Sequence, residues 1–317
     1  MIKLASARVV FAGTPDFAVP SLQALVDAGV TIDSVLTQPD RRAGRGRHLA
    51  QSPIKQLAIR CGIEVLQPTR LDDALLGRLS EEGPDLLVVA AYGRILPQWM
   101  LDWPRIAAVN VHASLLPRWR GAAPIQHAVL AGDDETGISI MRMTAGLDCG
   151  PVYRQQTIRI GLAETAGELH DRLAALGAGL LLETLPGILA ATLKPEEQNE
   201  SGANYASRIE KRDAVLNWEL SAVELGCRVR AYNPWPVAEA RTADGTRLRI
   251  WQAEAVSGEL EAKPGAIVAA ASGAIDVATA DGLLRLKRVQ SPGGRVMSAD
   301  AYLAAHDLRG IHFVGPD

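Results

Sequence analysis

An open, mostly parallel α/β sheet followed by a small β-barrel or sandwich is the fold class this sequence predicts, and three observations predict it. Short apolar runs alternate with amphipathic helical patterns in the first half of the chain. A polar, aperiodic stretch then interrupts the pattern near residue 200. Beyond it come closely spaced short segments bounded by Asp-Gly and Pro-Gly. Strands interleaved with helices imply right-handed crossovers and a parallel sheet. Short strands with regular turn signals imply a barrel or sandwich. At 317 residues, 48% of them apolar, the chain is long enough for two cores.

Residues 8–12 read as a buried strand stopped by Gly13. Thr14 is placed to cap a helix with Pro15 at its first position, where a missing N–H costs nothing. Ala18, Leu22, Leu25 and Val26 then line one apolar face. Further strands are expected at residues 32–37, 86–91, 107–111 and 138–143. Thr165-Ala166-Gly167-Glu168 is a capping box, behind which Leu169, Leu173, Leu176 and Leu180 mark one side of a long helix. The polar stretch reads as a linker, dividing the chain into 1–193, a linker at 194–208, and 209–317. In the last part, strands are expected at 247–253, 266–269 and 283–289, each after a turn pair.

The net charge of −3 argues against a protein that coats nucleic acid non-specifically. Any nucleic-acid contact needs a local basic patch. Cys61, Cys149 and Cys227 lie far apart with no CxxC pair, which gives neither a disulfide framework nor a zinc site and fits a reducing compartment. The apolar run after Arg8 breaks at Gly13-Thr14-Pro15, too short for a signal-peptide core. No later stretch reads as the roughly 18 apolar residues of a membrane span. The expectation is a cytoplasmic protein, independent of membranes and monomeric. The Gly44/Gly46 pair is no dinucleotide fingerprint, because no G-x-G-x-x-G follows a strand.

Chemistry concentrates between Asn110 and Gly121. Asn110 and His112 sit two apart at the carboxyl end of an expected strand, so both side chains project to one side, toward the crevice where open parallel sheets bind ligands. An amide and an imidazole there can polarise a carbonyl. Asp148, in the glycine-flanked turn Gly146-Leu147-Asp148-Cys149-Gly150, is the candidate proton acceptor. Taken singly, a strand-end histidine and a turn aspartate are more often structural.

The run Asn110-x-His112-x-Ser114-Leu115-Leu116-Pro117 with Gly121 resembles the folate-dependent formyltransferase family. The segment from Gly137 to Gly150 resembles that family's signature as well. The residue after His112 is Ala113, where members often carry Pro or Gly. The resemblance implies that Asn110, His112 and Asp148 are catalytic and that Ser114, Leu115, Leu116 and Pro117 line the pocket of 10-formyltetrahydrofolate, the formyl donor, with no metal. It also implies a Rossmann-like first domain and an OB-like β-barrel after it. Segments 11–17, 38–47 and 231–236 extend the resemblance over essentially the whole chain, to members whose acceptor is the amine of initiator methionyl-tRNA. On that reading Arg41, Arg42, Arg45 and Arg47 form a basic arm for tRNA. The C-terminal part carries 13 Lys and Arg against 14 Asp and Glu, so its RNA-binding face has to be a cluster such as Arg285, Lys287, Arg288 and Arg295. Two alternatives stay open: a formyltransferase for a small amine, such as an amino-sugar nucleotide or glycinamide ribonucleotide, and a non-catalytic nucleic-acid-binding protein.

Overall fold

The computed structural model describes residues 4–43, 48–72, 75, 77–79, 82–258, 261–271, 274–308 and 310–316. The chain forms two compact units. The first comprises Met1–Pro124, Glu135–Ile158 and His170–Ala206, and the second Ile125–Asp134, Arg159–Leu169 and Ser207–Asp317.

The first unit is built on a sheet with the strand order Val152–Arg159, Glu135–Arg142, Ala107–His112, Leu86–Ala90, Arg8–Gly13, Thr31–Leu36, Val65–Leu66. The five strands from Ala107–His112 to Val65–Leu66 are parallel. Glu135–Arg142 then pairs antiparallel to Ala107–His112, setting His112 opposite Ser139 and Asn110 opposite Met141. The central strands are near-continuous apolar runs because helices cover both faces. Phe11, Leu86, Leu87, Val88 and Val109 are accordingly fully buried.

The helix Val19–Asp27 buries Leu22 and Leu25 as its periodicity implies. Its entry differs from expectation. Thr14 caps nothing; its hydroxyl donates to the Tyr92 carbonyl at 3.0 Å. Pro15 precedes a single 3₁₀ turn, Asp16–Ala18. A partner 78 residues away outcompetes the local cap.

The long helix Ala166–Leu189 opens with the expected reciprocal box, in which Thr165 N–H donates to Glu168 Oε2 at 2.9 Å and Glu168 N–H to Thr165 Oγ1 at 3.3 Å. Leu169, Leu173 and Leu180 are buried, as are Leu181 and Leu185. A Cβ at Gly177 would lie 2.8 Å from Val111 Cγ1, so this turn packs directly on the strand that carries the site. By length and composition the helix could cross a membrane, contrary to the expectation that no stretch is apolar enough to do so. Its apolarity is explained by the face it buries against the sheet.

The stretch beyond it is polar because it runs over the surface. It contains a 3₁₀ turn, Glu200–Gly202, and the strand Tyr205–Ala206, which pairs in parallel with Arg120–Gly121.

The second unit is an antiparallel half-barrel in the order Ile267–Ala271, Ala274–Ala278, Leu283–Gln290, Arg247–Val256, Ala238–Thr242, Phe313–Val314, with Met297–Ser298 paired to Leu283–Gln290. Alternation sends Leu248, Ile250, Ile275, Val277, Leu284 and Leu286 inward. Gly265 is required at its turn: its φ is +90°, and a Cβ there would sit 2.0 Å from the Phe313 carbonyl oxygen.

Candidate active site

The strand Ala107–His112 ends the parallel part of the first sheet, and Asn110 and His112 lie in its last three residues. Both are buried, at 8% and 5% exposure. The turn after Glu135–Arg142 brings in Asp148, whose φ of +50° is a left-handed conformation that aspartate tolerates better than most residues.

The three predicted residues therefore converge. The Asn110 amide donates to Asp148 Oδ1 at 3.4 Å. His112 Nδ1 stands 3.6 Å from Asp148 Oδ2, and His112 Nε2 lies 3.0 Å from the Trp119 carbonyl oxygen. Both neighbours of the ring are acceptors, and only the Trp119 carbonyl lies within hydrogen-bond distance. Asp148 Oδ2 also accepts from the Gly121 N–H at 2.9 Å. Among the described residues Oδ1 has only the long amide contact, which leaves it a lone pair.

Ser114 to Pro117 form the next loop, with a cis Leu116-Pro117 bond. Its backbone is held from within. Ser139 Oγ donates to the Ser114 carbonyl at 2.6 Å and accepts from the Leu116 N–H at 3.1 Å. Gln155 Nε2 donates to the Leu116 carbonyl at 2.9 Å and to Ser139 Oγ at 2.8 Å. The Ser114 hydroxyl donates to the Arg118 carbonyl at 2.6 Å. With these groups engaged, the half-buried side chains of Leu115 and Pro117 are what the loop can present to a ligand. Ser139 and Gln155 escape sequence reading, because no local pattern reveals that they bind a loop many residues away.

The basic arm is a short hairpin where it is described: Arg41–Ala43 pairs antiparallel with His48–Ala50, so Arg42 lies opposite Leu49 in the ladder. The Arg41 guanidinium bonds to Gln38 Oε1. Arg45 and Arg47 lie outside the described residues. The base of the hairpin is clamped, with Lys55 Nζ 2.7 Å from both Asp40 Oδ2 and Gln67 Oε1. Lys55 and Gln67 together hold the Asp40 carboxyl below its ordinary value. Among the described residues no hydrogen bond joins Arg41 to Asn110, His112 or Asp148.

In the second unit the expected cluster is partly neutralised. Arg285 binds Asp276 through two hydrogen bonds of 2.7 Å, and Lys287 lies 2.8 Å from Glu254. Arg288 and Arg295 are exposed and form no ion pair among the described residues. Trp235 is 49% exposed, while Trp251 is half-buried with its Nε1 donating to Gln290 at 3.0 Å.

Comparison with known proteins bears on both units. The family described as Formyl transferase matches residues 7–185, and Formyl transferase, C-terminal domain, matches 208–307. A methionyl-tRNA formyltransferase of Methylococcus capsulatus is 53% identical, over 96% of this chain and 98% of that one. One from Coxiella burnetii is 48% identical, over 95% of this chain and 96% of that one. Among solved structures, the sugar 3N-formyl transferase WlaRD matches with a TM-score of 0.67 at 17% identity, over 88% of this chain and 96% of that one. HypX from Aquifex aeolicus in complex with tetrahydrofolic acid matches with a TM-score of 0.60 at 18% identity. The match takes in 98% of this chain, which spans about half of HypX, 48%. At such identities the two structures speak for the fold alone.

Proposed function

The chain belongs to the formyl transferase family, and from that premise we propose that Asn110, His112 and Asp148 carry out its chemistry. The chain transfers a formyl group to the amine of methionyl-tRNA. Identity near 50% along both units, to relatives with that activity, is the observation that carries this statement. The family draws the formyl group from a folate; the reading here is 10-formyltetrahydrofolate, with initiator tRNA as acceptor and the cytoplasm as the place of work.

The donor set fits the substrates. A formyl oxygen gathering negative charge needs N–H donors; the second N–H of Asn110 supplies one, and His112 supplies another when its Nε2 leaves the Trp119 carbonyl. One such preorganised donor contributes about 3–4 kcal/mol to the transition state. An amine attacks only when uncharged, and Asp148 Oδ1 can take its proton and return it to the donor's folate nitrogen as the formyl–nitrogen bond breaks. The Gly121 N–H and the Asn110 amide orient that carboxylate. Leu115 and Pro117 offer apolar contact for the flat part of the donor. Arg41, Arg42, Arg45 and Arg47 serve the tRNA, whose phosphates suit guanidinium groups.

The arm has its own test. Arg42→Ala and Arg45→Ala should each raise KM for charged tRNA and reduce the slope of log affinity against log salt by about 1. Binding of 10-formyltetrahydrofolate, followed by fluorescence, should not change. Unaltered KM and salt slope in both variants remove the arm from the substrate-binding surface.

A further inference from the structure

Arg120 and Gln198 take no part in the chemistry above, yet they tie it to the polar segment that follows the long helix. Arg120 is 1% exposed, among the largest fully buried side chains. Its Nε and Nη2 donate to Gln198 Oε1 at 3.0 and 2.8 Å. Its Nη1 and Nη2 donate to the two Glu200 carboxylate oxygens at 3.0 and 2.7 Å. Glu200 first, and Tyr205 after it, hold the guanidinium above its ordinary value against the opposing effect of burial. A buried charge destabilises unless its donors are met, and here they are met by one short stretch of chain.

Gln198 faces the reacting groups with the other end of its amide. Nε2 donates to the Asp148 carbonyl at 2.8 Å and to the Gly150 carbonyl at 2.7 Å. Both of its N–H donors and its acceptor oxygen are thus in use. The first of these bonds falls on the residue whose own φ is +50° and the second two residues beyond it, so they pin a conformation that the surroundings must impose on a non-glycine residue. The same stretch also supports the histidine. Asn204 Oδ1 accepts from the Trp119 N–H at 2.5 Å, and the Trp119 carbonyl meets His112 Nε2. Asn204 O accepts from the Arg120 N–H at 3.0 Å.

We propose that Gln198 is a positioning residue for formyl transfer: braced by Arg120 and Glu200, it fixes the backbone at Asp148 and Gly150 and so aims the Asp148 carboxylate. This rests on the assignment of Asp148 as proton acceptor.

Two substitutions test it. Gln198→Leu removes the whole amide. Gln198→Glu keeps an acceptor for Arg120 but cannot donate to the two carbonyls. In transfer of labelled formyl from 10-formyltetrahydrofolate to charged tRNA, each should lower kcat roughly 10- to 100-fold. Both KM values should stay within about threefold, with donor binding and folded structure retained. Wild-type kcat in either variant overturns the proposal. So does loss of donor binding or of folded structure together with kcat, since Gln198 is then structural only. Asp148→Asn, measured alongside, separates the two claims: wild-type kcat there removes the assignment of Asp148 itself, whatever Gln198 does.

Discussion

His112→Ala and Asp148→Ala are each expected to lower kcat by about 10²–10⁴ while leaving the protein folded. The histidine is 5% exposed, but its ring is held by polar contacts to Asp148 and Trp119. Truncation leaves a small polar gap in that setting. Thermal unfolding should therefore shift little, and KM for the folate should stay near wild type. For Asp148 the conservative change is more informative. Asn tolerates a positive φ and keeps an acceptor for the Gly121 N–H, yet it cannot take the amine's proton. Asp148→Asn should accordingly lose nearly as much kcat as Asp148→Ala. Rate measurements under saturating substrates check this, and an Asn variant with wild-type turnover would make the carboxylate a structural hydrogen-bond acceptor.

Gly150→Ala should be among the most damaging single methyls in the signature segment. A Cβ there would lie 2.0 Å from the Arg142 carbonyl oxygen and 3.2 Å from Thr144 Cγ2. The contact is with backbone in a bridge whose Arg142 N–H donates to the Pro151 carbonyl at 2.8 Å, so it cannot be relieved by a rotamer change. Forcing the strands apart costs typically 1–3 kcal/mol. It also displaces a carbonyl that Gln198 holds, two residues from Asp148. Activity should fall by about 10², and denaturant midpoints should drop. Gly179→Ala is the matched control: it lies in the long helix with nothing within 4 Å of its added carbon. It should be neutral, or stabilise by up to about 1 kcal/mol through helix propensity. If the two variants are equally stable and active, the close approach at Gly150 does not constrain the site.

Much of this architecture was legible in the sequence because its signals are local. The first strand, the apolar face around Leu22, the capping box at Thr165 and the turns before Arg247, Ile267 and Leu283 all depend on residues within a few positions. The convergence of Asn110 and His112 was equally readable, since strand periodicity alone puts them on one side. Asp148 was reached through its glycine-rich turn, although the unusual dihedral belongs to Asp148 itself rather than to its neighbours. Other features depend on distant partners. Thr14 turned from cap to tether because the Tyr92 carbonyl lies beside it. Ser139 and Gln155 act on a loop 23 and 39 residues earlier. Gln198 sits in a polar run whose composition reads as linker, yet it bonds to backbone 48 and 50 residues away. In the half-barrel, Arg285 and Lys287 read as a basic cluster, whereas register across the sheet sets them beside Asp276 and Glu254.

The central claim is that this crevice formylates the amine of methionyl-tRNA, and one competition experiment addresses it. The protein is given labelled 10-formyltetrahydrofolate together with charged initiator methionyl-tRNA and an amino-sugar nucleotide, and the label is followed into each acceptor. The account predicts label in the tRNA alone. Label in the sugar nucleotide, with the tRNA untouched, would contradict it while leaving the family and the catalytic residues in place.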